Sequence, residues 1–317
     1  MIENQIHVTM ADDPMTAYMR ETYFITPSNI SRIWFADRAV EIERSLRSGK
    51  IPDFELPEKE RFSVDALVGK IFELHQIAES RTFEDEQPDV RGSLIDVMGK
   101  YEYDLSRPDY LNKLSNKSDH IKRASSKPAT SRRLLEKSIE HTSRASEILG
   151  ESPERDSRIA YCLTELRRYD EAIPLLEKLR LESSKNRIIS ALAISYIGAG
   201  RFGDGIDAYI GIITDLSENN RDNFTFRDID NSMEKAFYAL RSIRDKDTSN
   251  VLHDFETLYR QMMILWNSQR HKEGKPPKVE FNLISSLNEN GFNKFREALS
   301  NLPTSPYKAL QAHNQTS

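Results

Sequence analysis

The residues best equipped for chemistry in this chain are a glycine run, one cysteine and seven scattered histidines. Residues 198–203 read GAGRFG, the G-x-G-x-x-G spacing with which a strand–turn–helix unit cradles a dinucleotide pyrophosphate. That chemistry needs a strand ending at Ile197 and a helix opening near Gly203. The preceding residues instead carry apolar side chains at helical spacing, which makes Gly200 a turn residue and Gly205 a close-packing site. No cofactor is expected. Cys162 sits inside an apolar helical pattern and reads as a small buried hydrophobe, not a nucleophile. His7, His75, His120, His141, His253, His271 and His313 form no H-E-x-x-H or other ligand spacing, so no metal is expected. His75 falls on an apolar helix face and reads as packing. The acidic run Glu84, Asp85, Glu86 and Asp89 lacks the spacing and glycine of a calcium loop. No G-x-S-x-G, Walker or kinase signature occurs. No catalytic residue is identified, and the balance is against an enzyme.

The elements behind these residues follow from composition. The 317 residues are 38% hydrophobic and 30% charged, with 12 glycines. Apolar content is below the roughly 45–50% of an average domain, and glycine is about half its usual share. This composition suits water-exposed helices and fits poorly with tight-turned sheets, so an all-α fold with at most a few minor strands is expected. The net charge of −5 leaves no whole-chain positive field for nucleic acid. No apolar run approaches the ~18 residues that span a bilayer. The N-terminal MIENQIHVTMADD lacks the basic region and apolar core of a secretory leader, and a single cysteine builds no disulfide framework. A soluble, reduced, cytoplasmic protein without membrane contact is the expectation.

Three regions are read along the chain. Residues 1–125 form an N-terminal helical domain of unknown role. It has a short strand at residues 2–10, helices opening at Pro14, Pro27 and Ser63, a short helix over 90–100, and a strand at Tyr101, Tyr103 and Leu105. A basic stretch, Lys113–Lys137, holds eight Lys or Arg and almost no aromatics; it reads as a solvated linker, with the domain boundary near 125. Residues 126–270 form a helical hairpin array and 271–317 a C-terminal extension, with a strand at 278–283 and a disordered tail beyond Pro303.

Within the array the sequence repeats. RIAYCLTELRRYDEAIPLLEKL from Arg158 aligns with ALAISYIGAGRFGDGIDAYIGI from Ala191, an offset of 33 residues. Ala160 matches Ala193, Arg168 matches Arg201 and Ile173 matches Ile206. Tyr169 and Phe202 stand where each second helix begins, and Ala172 and Gly205 share a small position. The pattern resembles the tetratricopeptide repeat, a helical hairpin of about 34 residues. The resemblance covers 156–215; it departs from the family in lacking the early Trp and in having Ser184 where a Pro usually closes the repeat. Met233–Ile243 and the stripe Val251–Trp266 read as a third, divergent hairpin. The resemblance implies a concave groove lined by Ser157, Tyr161 and Thr164 in one repeat and Ser190, Ile194 and Ile197 in the next.

The function expected is therefore non-enzymatic: an adaptor whose groove binds a peptide or amphipathic helix from a protein partner. One alternative makes residues 1–125 a regulated effector or enzyme with the repeats as its sensor. Another is a nucleic-acid-associated regulator acting through Lys113–Lys137.

Overall fold

The computed structural model describes residues 20–23, 64–78, 88–107, 127–218, 224–243 and 249–276. All regular structure among them is helical, as the composition anticipates. The strands expected at 2–10 and 278–283, the helices opening at Pro14 and Pro27, and the tail lie largely or wholly outside these residues, whereas the helix expected to open at Ser63 is observed from Val64 onward. The third expected strand is a correction. Tyr101 and Leu105 belong to helix α2 (Pro88–Ser106), in which Leu94, Ile95, Met98, Tyr101 and Leu105 are buried at helical spacing.

The chain divides into two compact units, Met1–Leu166 and Arg167–Ser317. The first contains α1 (Val64–Ala78), α2, α3 (Pro128–Leu149) and α4 (Pro153–Glu165). Its most extensive packing joins α2 to α3. The backbones approach closely there. A Cβ added to Gly99 would lie 2.6 Å from Thr142 Oγ1, and Ser138 Oγ donates to the Gly99 carbonyl at 2.7 Å. By this division α3 and α4 fall in the first compact unit. Ser152 caps α4 by accepting from the Arg155 amide, and Pro153 follows in the first turn.

A polar hub lies inside this unit. Glu102 is 0% exposed, accepts a hydrogen bond from the Tyr23 hydroxyl, and pairs with His141 Nδ1 at 2.8 Å. Arg133 Nε donates to the Thr22 carbonyl at 3.1 Å, so residues 22–23 are held at two points. Nearby, the Arg158 guanidinium reaches Asp96 Oδ1 at 2.7 Å and Thr142 Oγ1 at 3.3 Å.

The second unit contains α5 (Tyr169–Glu182), α6 (Asn186–Gly198), α7 (Phe202–Glu218), α8 (Phe226–Ser242) and α9 (Ser249–Lys272). α6 packs on α5, α7 and α8, and α9 packs on α7 and α8. The helix expected from Met233 begins earlier, at Phe226. Thr225 and Asp228 form a reciprocal capping box that starts α8 at Phe226.

The 33-residue offset recurs in the backbone. α4 and α6 begin at 153 and 186 and end at 165 and 198, and α5 and α7 begin at 169 and 202. Arg167 and Gly200 both adopt left-handed φ, 61° and 81°. Arg168 pairs with Glu171 at 2.6 Å and Arg201 with Asp204 at 2.7 Å.

Candidate functional site: a groove over α6

The residues expected to line a groove in α6 are core residues. Ser190 donates to Ser232 Oγ on α8 at 2.6 Å, and Tyr209 OH meets the same hydroxyl at 2.7 Å. Ile194 is 8% and Ile197 1% exposed, both in the cluster that includes Met233, Phe237 and Phe255. This corrects the expected groove: the face it used is covered. Apolar residues surround α6, so spacing alone could not say which face remained open. In the first unit Tyr161 is half-buried. Thr164 is buried and donates to the Ala160 carbonyl at 2.9 Å. Ser157 donates to the Pro153 carbonyl at 2.6 Å. Both hydroxyls are engaged within their own helix.

An open depression of about 590 Å³ lies on another face of α6, between the end of α5 and α7. Its floor is Ile189, Tyr196 and Ala208. Arg180, Ser184 and Lys185 border it at the α5–α6 turn, and Asp204, Asp207, Gly211 and Asp215 form the α7 wall. Positions 204, 207, 211 and 215 recur at three- and four-residue steps and therefore share one helix face.

A cluster joining α5, α6 and α7 stands at the end of the depression away from that turn. Tyr196 OH donates to Glu177 Oε1 at 2.8 Å. Arg201 lies 4.2 Å over the Tyr196 ring and 3.3 Å from the same carboxylate oxygen. Burial, together with the neighbouring Glu177 carboxylate, pushes the Tyr196 phenol up to about 12. Toward the other end, Asn186 Nδ2 donates to Asp215 Oδ2 at 2.8 Å. Asp204 is matched by Arg201, whereas the side chains of Arg180, Lys185 and Asp207 have no hydrogen bond or ion pair among the described residues. Gly211 is bare: an added Cβ would meet nothing within 4 Å.

The glycine run is a helix–turn–helix element. Gly198 closes α6, Gly200 makes the turn at φ 81°, and a Cβ on Gly205 would strike Ile197 Cγ1 at 2.5 Å. No strand precedes it. Cys162 is buried, and desolvation pushes its thiol up to about 12. Among the described residues, no three His, Cys, Asp or Glu side chains are grouped to hold a metal ion. In the described part of the basic stretch, Arg132 and Arg133 pair with Glu136, and Lys137 pairs with Glu140. Residues 113–126 lie outside the described residues. No helix among those described is long and apolar enough to cross a membrane.

Arg180, Lys185, Asp207 and Gly211 were not among the sequence candidates. For Asp207 and Gly211 the signal was the polar face of α7, visible in the spacing of its aspartates but indistinguishable from ordinary solvated surface; Arg180 and Lys185, at the end of α5 and in the turn after it, carried none. No family model, curated protein or solved structure matches the chain.

Proposed function

We propose that this chain is a non-enzymatic binding module, built on tetratricopeptide-like hairpins, that receives a segment of a partner protein in the groove over α6. The observation carrying this reading is the groove's construction: an apolar floor, charged borders of both signs, and a bare Gly211 in the centre of one wall. The 33-residue recurrence of helix bounds and left-handed turns supports the repeat assignment. The lone cysteine, which leaves the chain without an internal disulfide, supports a reducing, cytoplasmic setting.

The test is affinity capture with the full chain, followed by binding measurements on the recovered partner with two matched variants. Gly211→Phe places a large side chain in the groove. Gly203→Phe places the same side chain on the same helix at a position that does not itself line the groove, where an added Cβ also meets nothing within 4 Å. Loss of binding only with Gly211→Phe supports the reading. Equal binding by both variants, each as helical as wild type, sinks it. Ile194→Ala is unsuitable because it empties a core position.

A further inference from the structure

Resting on that groove as the binding site, we propose that its occupant is a mixed-charge peptide segment, with a basic side chain on Asp207, its stem across Gly211, and an acidic side chain against Arg180 and Lys185. The groove holds three charged side chains of both signs that are not matched with one another, although they border one depression. The α7 wall also carries Asp204, held by Arg201, and Asp215, which among the described residues accepts only from the neutral Asn186 amide. A wholly acidic segment or a nucleic acid would lie along this row of carboxylates and be repelled. A wholly basic segment would meet Arg180 and Lys185 at the α5–α6 turn. Opposite charges placed at the two borders remove both penalties, which is the usual source of specificity at polar interfaces.

The shape points the same way. Asp207 lies one helical turn from Gly211, and Ala208 and Ile189 continue the bare surface inward. Arginine and lysine bury an aliphatic stem on apolar surface while the charged head stays at the polar border. Arginine fits better because its planar fork can meet a carboxylate through two parallel hydrogen bonds.

The probes are four immobilised pools of random 12-residue peptides, identical except for the charged residues allowed: Arg with Glu, Arg alone, Glu alone, or none. The full chain should be retained by the mixed pool at least ~10-fold better than by any other, with retention falling as salt rises. Asp207→Asn should remove the requirement for Arg, and Arg180→Gln with Lys185→Gln the requirement for Glu. Equal retention on a single-sign pool overturns the proposal, as does unchanged selectivity in Asp207→Asn or no retention on any pool. If only the neutral pool binds and Gly211→Phe abolishes that binding, the groove reading survives and the charge assignment alone fails.

Discussion

Glu102→Gln should be among the most damaging isosteric substitutions in the first unit. The carboxylate is fully buried and takes one bond from Tyr23 and one from His141. The amide keeps one accepting oxygen for two donors and turns its own N–H groups toward the other. One charge-assisted bond, worth roughly 1.5–3 kcal/mol, is lost, and an unsatisfied buried donor adds about 1–3 kcal/mol. The sum agrees with the roughly 3–5 kcal/mol for breaking a buried ion pair. The pH profile supplies a second, sharper readout. Burial pulls the His141 pKa down, but the charge and hydrogen bond of Glu102 outweigh it, and the net direction is upward from 6.5. A group whose pKa is raised by folding contributes its stabilisation fully below pH 6.5 and loses it as pH rises through the folded value. Wild type should therefore lose stability across that window, and Glu102→Gln should lose this slope or reverse it. Hydrogen exchange in peptides from 94–106 and 134–149, corrected for the intrinsic pH effect, isolates this unit. A variant within ~1 kcal/mol of wild type with an unchanged slope would refute the reasoning.

Glycine position decides two further contrasts. Gly211→Ala should stabilise α7 by about 1 kcal/mol, since the site is exposed and helical, whereas Gly205→Ala should destabilise by about 1–3 kcal/mol because its Cβ meets Ile197 Cγ1 and the Ala193 carbonyl; paired urea titrations check both. Arg167→Gly should leave stability unchanged or raise it by up to ~1 kcal/mol by relieving a left-handed side chain, while Gly200→Ala should lower it by about 1–2 kcal/mol; thermal melts of the two variants give the contrast. Cys162 should resist a thiol-reactive dye at pH 8 in the folded protein and react promptly in denaturant; rapid native labelling would contradict its burial.

Where one face of a helix was apolar and the other polar, the sequence was readable. Leu134, Leu135 and Ala145 marked the buried side of α3, and the small residues at 172 and 205 marked close-packing positions. Two kinds of information were not local. The start of α8 hid in an Asn- and Asp-rich run, although Thr225 and Asp228 stood at capping-box spacing, because Asp at that position also suits a loop. The groove depends on Arg180 and Asp207, 27 residues apart, bordering one depression over α6. Its location followed from α8 covering one face of α6, and no spacing within α6 encodes what its neighbours cover.

The enclosure of α6 sets a limit on modularity. In a one-dimensional stack each repeat contacts only its neighbours, and hairpins can be removed from an end with modest loss. Here Asn186, Ile188 and every residue from Ser190 to Ile197 are buried, with α8 covering a flank that a free hairpin would show to water. A chain shortened at Glu218 would keep both helices that border the groove, yet expose Ile194 and Ile197 and leave Ser190 without Ser232. The shortest version able to present the groove therefore has to include α8, well beyond Asp215, the last residue that lines it.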